Sequence, residues 1–322
     1  MREAREQIFL MGAIILLGQY SVIYAAPNIG KTLLALYFLI ESIKAGRIDP
    51  NTFYYVNVDD DFPGLVDKLA LAEEYGFHML APGFQGFSES DLLAAVIELI
   101  DSDQARDTII ILDTLKKFTN LMDKTRSSGF NRVIRKFVMK GGTCIALAHV
   151  NKNRDSSGKA VYAGTSDIID DADCAYVLDV VSSDVDDQTR TVEFENRKRR
   201  GHVLNRAAYR YSIAQKLTYP DLLASVEEVT DDDLAGVKHS ETVRSHQAVI
   251  DAITDCIGEG ITARMALVKE AATRAGVSQR TLMVILDQHT GRDPSLHRWT
   301  CTVGPRGAKL YELLQLQADP AL

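Results

Sequence analysis

Residue types that bind phosphate groups are concentrated at positions 25–32. The segment reads Ala-Ala-Pro-Asn-Ile-Gly-Lys-Thr and fits the pattern GxxxxGK[ST] except at its first position, where Ala25 replaces glycine. Alanine is tolerated there when its φ is negative. In such a loop the backbone N–H groups surround the phosphates, the lysine reaches the β- and γ-phosphates, and the threonine hydroxyl binds Mg²⁺. The alternative is an ordinary strand-to-helix turn. The pattern predicts that ATP and Mg²⁺ bind to Ala26, Pro27, Asn28, Ile29, Gly30, Lys31 and Thr32.

Acidic residues follow two predicted buried strands and complete such a site. Asp113 ends the apolar run 108–112, where open α/β sheets bind ligands, and it would hold Mg²⁺ directly or through water. Three consecutive acids at 59–61 end another strand, and we take Asp59, the nearest to the strand terminus, as the residue that orients the attacking water. The alternatives are a strand-capping carboxylate at Asp113 and a solvated turn at 59–61.

The surrounding sequence alternates between strands and helices, which predicts a mostly parallel α/β sheet flanked by helices. The apolar run 8–17 is interpreted as part of two buried strands with a turn at Gly18 and Gln19, because it is too short to span a bilayer. Strands are predicted at 21–25, 53–58, 108–112, 143–148, 175–181 and 188–195, and helices at 31–44, 65–75, 91–101 and 132–140.

Composition restricts the class of protein and its partners. The 322 residues are 46% hydrophobic and 25% charged, which favours a packed globular chain of one large or two ordinary domains. The net charge of −8 excludes a global attraction to nucleic acid, so DNA contacts would need local basic patches. The cysteines lack CxxC spacing and are expected to be free, buried thiols in the reducing cytoplasm, with no membrane partner. They are Cys144, Cys174, Cys256 and Cys301.

A different pattern follows a polar stretch at 231–242, which we interpret as a linker. Helices are predicted at 246–257, 265–275 and 279–288, the last with Ser278 as its N-cap. A hairpin at 298–303 and 308–313 would complete a small winged helix-turn-helix domain. Residues 236–322 contain ten Lys and Arg against nine Asp and Glu, so this part is more basic than the rest. DNA contacts, or alternatively protein contacts, are predicted at Gln279 and Arg280 on the third helix and at Arg298 and Arg306 on the wing.

Together, the phosphate loop, the acids at 59–61 and Asp113 resemble the RecA-like P-loop ATPases. Within that class the sequence is most similar to the RepA-type hexameric replicative helicases of plasmids and to related ATPases of mobile elements. The resemblance covers about residues 10–215. It implies that His149, at the end of the strand 143–148, is a polar sensor of the γ-phosphate. A structural histidine is the alternative.

The resemblance also implies a role for the basic segment after the strand at 188–195. Lys198 and Arg200, just before Gly201, match a Lys-x-Arg pair that reaches the γ-phosphate of a neighbouring subunit and stabilises the transition state. The alternatives are a basic DNA-binding patch and a solvated turn. An interfacial pair implies a homo-oligomer, expected to be a hexameric ring or a filament.

Two loops are predicted to contact DNA, because RecA-like relatives thread DNA past loops in these places. Lysines and arginines there would contact phosphates without reading sequence. Exposed basic residues without any ligand are the alternative. The first loop carries Lys116, Lys117, Lys124 and Arg126, and the second carries Lys152, Arg154 and Lys159.

The sequence therefore predicts an ATPase and, more specifically, an ATP-dependent DNA motor. It would resemble the replicative helicases of a plasmid, phage or integrated element, with single- or double-stranded DNA and other replication proteins as partners. One alternative is a RecA-like loader, recombination mediator or regulator that does not unwind DNA. Another is a DNA-binding regulator with weak ATP use. The predicted domains are a RecA-like core at 1–230, a linker at 231–242 and a winged-helix-like domain at 243–322.

Overall fold

The computed structural model describes residues 8–10, 12–60, 62–84, 86–88, 90–118, 124–150, 166–184, 187–304 and 307–314. The chain divides into two compact units, Met1–Leu234 and Ala235–Leu322. Within the described ranges, no helix has the length and apolar character needed to cross a membrane. The four cysteines are free thiols, and three of them are buried.

The first unit alternates between strands and helices, as predicted. Helix α1 and helix α3 begin and end at the predicted residues, and the predicted strands are present with bounds shifted by one to three residues. In chain order the elements are β1 (Phe9–Leu10), β2 (Ile15–Leu16), β3 (Tyr20–Ala25), α1 (Lys31–Lys44), β4 (Phe53–Asn57), α2 (Phe62–Tyr75), β5 (His78–Leu80), α3 (Asp91–Asp101), β6 (Ile109–Asp113), α4 (Lys124–Met139), β7 (Thr143–His149), α5 (Ser166–Asp171), β8 (Cys174–Asp184), β9 (Thr189–Lys198), β10 (Arg206–Ser212), α6 (Tyr219–Ala224) and β11 (Glu227–Val229).

Nine of these strands form one sheet in the order β11-β10-β9-β8-β3-β7-β6-β4-β5. The six strands from β8 to β5 are parallel to one another. The strands β9, β10 and β11 extend the sheet beyond β8 by antiparallel pairing. Parallel strands require long crossovers, which helices supply here, and antiparallel strands need only short connections. The predicted mostly parallel α/β sheet with flanking helices is confirmed.

The strands alternate between two buried faces. Ile23 and Ile111 pack with Leu36 of α1 in one apolar core. Ile110 and Leu112 pack with the helices α3 and α4 in another. Because both faces are covered, β6 is a continuous apolar run rather than an alternating one. The odd-numbered residues of β6, ending in Asp113, therefore face the side of the sheet on which α1 lies.

The N-terminal apolar run differs from its prediction. It contains a hairpin of its own, in which β1 and β2 pair antiparallel with Phe9 opposite Leu16. Gly12 allows this turn, because its φ of 64° lies in the left-handed region that glycine adopts without strain. The predicted turn at Gly18 and Gln19 is present and separates β2 from β3.

Within its described residues, the second unit contains an antiparallel hairpin and three helices, the first of which begins at Asp231, just before the boundary between the units. The predicted helix 279–288 has the same bounds in the structure, and Ser278 caps it by accepting a hydrogen bond from the backbone N–H of Thr281 at 3.1 Å. Trp299 is fully buried at the centre of the core. The elements are α7 (Asp231–Gly258), α8 (Arg264–Ala275), α9 (Gln279–Gln288), β12 (Trp299–Val303) and β13 (Lys309–Leu313).

The segment 231–242, which we interpreted as a linker, is helical and forms the first part of α7. The hydroxyl of Thr230 accepts a hydrogen bond from the backbone N–H of Asp233 at 3.2 Å. The three acids at 231–233 lie in the first turn, where the helix dipole favours negative charge. The acidic run therefore marks the start of a helix rather than a solvated connection.

Candidate nucleotide-binding site

The site lies at the carboxyl ends of four adjacent parallel strands, β3, β7, β6 and β4. Ala25 pairs with His149 across β3 and β7, and Asp113 pairs with Asn57 across β6 and β4. Since this edge is where open α/β sheets bind ligands, the sheet register alone brings the predicted phosphate loop, metal acid and sensor together.

The phosphate loop connects β3 to α1. Ala25 is the last residue of β3 and has extended backbone, so no glycine is needed at this first position. Gly30 is the N-cap of α1 with a φ of 78°, and a Cβ built there would lie 2.7 Å from the hydroxyl of Tyr211. Arg190 donates from Nη1 to the backbone oxygen of Asn28 at 2.6 Å. Arg190 of the antiparallel extension thus holds the loop. The positive φ and the closeness of Tyr211 explain why glycine is required at position 30.

The predicted metal ligands are in direct contact. Thr32 donates from Oγ1 to Asp113 Oδ2 at 2.6 Å. Tyr55 donates its hydroxyl to the same oxygen, also at 2.6 Å. The ammonium of Lys31 lies 3.5 Å from Asp113 Oδ1, and both of these side chains are buried. Buried charges need partners, and the ammonium of Lys31 and the carboxylate of Asp113 compensate each other.

One oxygen of this cluster fits a cation. Within the described ranges, Asp113 Oδ1 is buried and accepts no hydrogen bond. A single carboxylate and a hydroxyl suit Mg²⁺, which is commonly held by one or two carboxylates together with substrate phosphates. Thr32 and Asp113, whose side chains are hydrogen-bonded to each other, are the residues that would hold it.

The structure distinguishes the acids that follow β4. Asp60 is bonded to the ammonium of the buried Lys68 and accepts from Asn57 Nδ2 at 2.5 Å. Asn57 also accepts the backbone N–H of Asp59 at 3.3 Å, which fixes the turn. The carboxylate of Asp59 is partly exposed and lies 4.0 Å from the ammonium of Lys116. Asp60 is therefore a structural partner of Lys68. Asp59 is the acid that stays available at the candidate site. Asp61 lies outside the described residues.

His149 lies in the electrostatic field of the predicted site residues. Burial lowers the pKa of its imidazole, and so do Lys31 and Lys116, whereas Asp59 and Asp113 raise it. Both ring nitrogens are buried and have no hydrogen-bond partner among the residues that the structure describes. A neutral imidazole with two unused nitrogens can donate one hydrogen bond and accept another, as a ligand sensor requires.

Lys198 and Arg200 are not part of this site within their own chain. Lys198 donates from Nζ to the backbone oxygens of Ile169 at 2.8 Å and Asp170 at 2.5 Å, where the end of α5 favours a cation. Arg200 donates to Asp173 Oδ1 at 2.8 Å, and Asp173 accepts the backbone N–H of Tyr20 at the start of β3. Both cations thus lie near the amino ends of the parallel strands, whereas the phosphate loop lies at the carboxyl ends. Their action on a neighbouring subunit stays a prediction.

The predicted DNA-contacting residues are distributed over both units. Lys116 is at the nucleotide site beside Asp59, and Lys117 is exposed next to it. In the second unit, Gln279 and Arg280 are exposed in the first turn of α9, and Arg298 precedes β12. The remaining predicted contacts lie outside the described residues or side chains: Lys124, Arg126, Lys152, Arg154, Lys159 and Arg306.

Sequence reasoning missed several side chains that contact the site. Tyr55 lies two residues before Asn57 and four before Asp59. Because alternate residues of a strand face the same side of the sheet, this spacing is the sign in the sequence that Tyr55 faces the candidate site. Lys68 lies beneath the ring of Tyr219, with its ammonium 5.8 Å from the ring centroid. Nothing local in the sequence connects the antiparallel strands with the phosphate loop or α6 with Lys68, because those contacts depend on long-range packing.

Comparison with known proteins gives little beyond this geometry. No protein-family model matches the chain, and no curated protein matches it. Among 626 matching chains of solved structures, one is the crystal structure of a KaiC-like protein from the hyperthermophilic archaeon Pyrococcus horikoshii OT3, with 13% sequence identity and a TM-score of 0.45. The match covers 67% of this chain and 91% of that chain. Function is therefore inferred from the site itself.

Proposed function

We propose that this protein is a RecA-like ATPase that binds ATP and Mg²⁺ at the carboxyl ends of β3, β7, β6 and β4. The observation that carries the proposal is the hydrogen bond between Thr32 and Asp113, because it joins two motifs that are 81 residues apart in sequence. Lys31 and the unbonded oxygen of Asp113 lie at the same point. A simple strand-to-helix turn requires neither a buried lysine nor a buried carboxylate.

Each residue has a task that its chemistry allows. The loop N–H groups and Lys31 bind the β- and γ-phosphates and stabilise the charge of the transition state. Thr32 and Asp113 would hold Mg²⁺, which would neutralise phosphate charge when bound. Asp59 orients the attacking water and accepts its proton. His149, kept neutral by its lowered pKa, detects the γ-phosphate through hydrogen bonds.

Replacement of the loop lysine tests the proposal. In Lys31→Ala we expect ATP hydrolysis to be lost and the affinity for a fluorescent ATP analogue to fall. Lys44→Ala is the matched control, because Lys44 lies at the other end of α1 in an exposed ion pair with Glu41. ATP turnover that is unchanged in Lys31→Ala would overturn the site assignment.

We further propose that the ATPase acts on DNA, as a helicase-like motor of a plasmid, phage or integrated element. The order of helices and hairpin in the second unit supports a winged helix-turn-helix. The exposed Gln279 and Arg280 at the N-terminus of α9 suit contacts to bases or phosphates. A RecA-like loader, mediator or regulator that does not unwind DNA is the second candidate. Lys116 lies 4.0 Å from Asp59 at the proposed ATP site, and this position favours the second candidate over a motor whose DNA channel would use this lysine.

Two measurements separate these candidates. A motor displaces a strand from a forked duplex with ATP, whereas a loader shows ATP hydrolysis stimulated by single-stranded DNA without displacement. Arg280→Ala should weaken DNA binding and reduce its salt dependence, with the exposed Arg292→Ala as control. No DNA binding at any salt concentration would exclude both candidates.

The proposal includes a homo-oligomer in which Lys198 and Arg200 act on the nucleotide of a neighbour. In this arrangement the two cations exchange their contacts with Ile169, Asp170 and Asp173 for phosphate oxygens. Sedimentation with ATP is expected to show an assembly. Arg200→Ala should lower ATP turnover, and the assembly should still form. A monomer under all nucleotide conditions would refute this part.

A further inference from the structure

Tyr55 contacts the candidate site although it belongs to neither nucleotide motif. It is fully buried in β4 and lies opposite Ile111 of β6. Asp113 is two residues beyond Ile111, on the same face of the sheet, and this places its carboxylate within reach of a tyrosine side chain. The hydroxyl of Tyr55 donates to Asp113 Oδ2 at 2.6 Å.

The two oxygens of the Asp113 carboxylate are therefore not equivalent. Oδ2 accepts short hydrogen bonds from Thr32 and Tyr55. Oδ1 accepts none from the described part of the chain, and its nearest charged neighbour is the ammonium of Lys31 at 3.5 Å. Hydrogen bonds to an ionised acceptor are roughly twice as strong as neutral ones, so two of them on one oxygen fix the rotation of the carboxylate.

We propose that Tyr55 is a positioning residue, which orients Asp113 so that Oδ1 faces the Mg²⁺ of the bound nucleotide. This inference rests on the proposed ATPase function. Thr32 is a poor sole anchor, because its hydroxyl is itself an expected Mg²⁺ ligand. The phenol of Tyr55 is buried within β4 and has this one described hydrogen bond.

The test separates nucleotide binding from the contribution of Mg²⁺. We would measure the affinity of the full chain for a fluorescent ADP analogue, once in EDTA and once with Mg²⁺. Tyr55→Phe should keep the affinity measured in EDTA and lose about tenfold of the gain that Mg²⁺ provides, as expected for one hydrogen bond to a charged group. Tyr54→Phe, which removes the hydroxyl of the adjacent ring stacked on His78, should behave as wild type.

Direct Mn²⁺ affinity of the ADP complex, measured by electron paramagnetic resonance, is a second readout and should fall by a similar factor. Tyr55→Met, which places a smaller, flexible apolar side chain without a hydroxyl in this buried space, should repeat both results. If Mg²⁺ raises the nucleotide affinity of Tyr55→Phe by the same factor as that of the wild type, the inference is overturned and the ATPase proposal is left intact. Equal loss of affinity in EDTA and in Mg²⁺ would show a merely structural tyrosine. Absence of nucleotide binding in the wild type would refute the proposed function itself.

Discussion

Removal of either half of the Lys68–Asp60 ion pair should destabilise the first unit, but to unequal extents. The side chain of Lys68 is 5% exposed and that of Asp60 is 25% exposed. Asp60→Asn leaves a buried ammonium without a counterion, which costs about 3 kcal/mol of unfolding free energy. Lys68→Met removes the buried charge and nearly keeps the volume of the side chain. Asp60 stays partly exposed to solvent and keeps the hydrogen bond from Asn57. That change should cost about 1 kcal/mol.

Urea unfolding followed by far-ultraviolet circular dichroism measures the difference. Trp299 is the single tryptophan of the chain, so its fluorescence follows the second unit and separates a local loss from a loss of the whole chain. The double variant Asp60→Asn/Lys68→Met should resemble Lys68→Met, because no unpaired ammonium remains. If Lys68→Met costs as much as Asp60→Asn, or if the double variant is the least stable, the reasoning from burial is wrong.

Three further outcomes are expected. Asp59→Asn should lower ATP turnover about 100-fold with nucleotide affinity retained, whereas Asp60→Asn should affect turnover far less; equal losses would contradict the assignment of the base. Gly30→Ala combines left-handed backbone strain of about 1–2 kcal/mol with a clash against the side chain of Tyr211. Its unfolding free energy and nucleotide affinity should therefore fall further than those of Gly46→Ala, where the φ is 64° and the surroundings are open. Burial lowers the pKa of His289, so its stabilising contribution is complete above about pH 6.5 and is lost as the pH falls through the folded-state pKa. Urea midpoints from tryptophan fluorescence should therefore fall on acidification, and His289→Gln should reduce that dependence; an identical pH dependence in the variant would exclude this histidine as a cause.

The phosphate loop and Asp113 could be predicted because their signals are local. A GKT sequence that follows a strand and starts an amphipathic helix specifies the loop, and an acid after a continuous apolar run specifies a strand end. The helices at 31–44 and 279–288 could be given correct bounds for the same reason, since capping and periodicity are encoded within a few residues. The structure adds that these strand ends are adjacent in one sheet.

The remaining site contacts depend on register and on long-range packing. Tyr55 reaches Asp113 only because β4 and β6 pair with Asn57 opposite Asp113, and no local pattern fixes the register of two distant strands. The three-residue strands β5 and β11 and the six-residue α6 are too short to show a periodicity, and the seven residues of β10 do not alternate regularly between buried and exposed. Tyr211 and Tyr219 could therefore not be placed. The acids at 231–233 were misread because an acidic run has the same composition in a linker as in the first turn of a helix.

The anchoring of Asp173 has a consequence for Arg200. Arg135 donates to Asp173 Oδ2 at 2.7 Å, and Arg200 donates to Oδ1 at 2.8 Å, so one buried carboxylate has two counterions. Loss of Arg200 leaves the first counterion and the backbone donor of Tyr20 in place, and no bare charge is created. Because the side chain of Arg200 is 55% exposed, its release costs no more than a surface ion pair, about 1 kcal/mol or less. Arg200 can therefore leave this ion pair while Arg135 and the backbone N–H of Tyr20 keep Asp173 bonded at the start of β3.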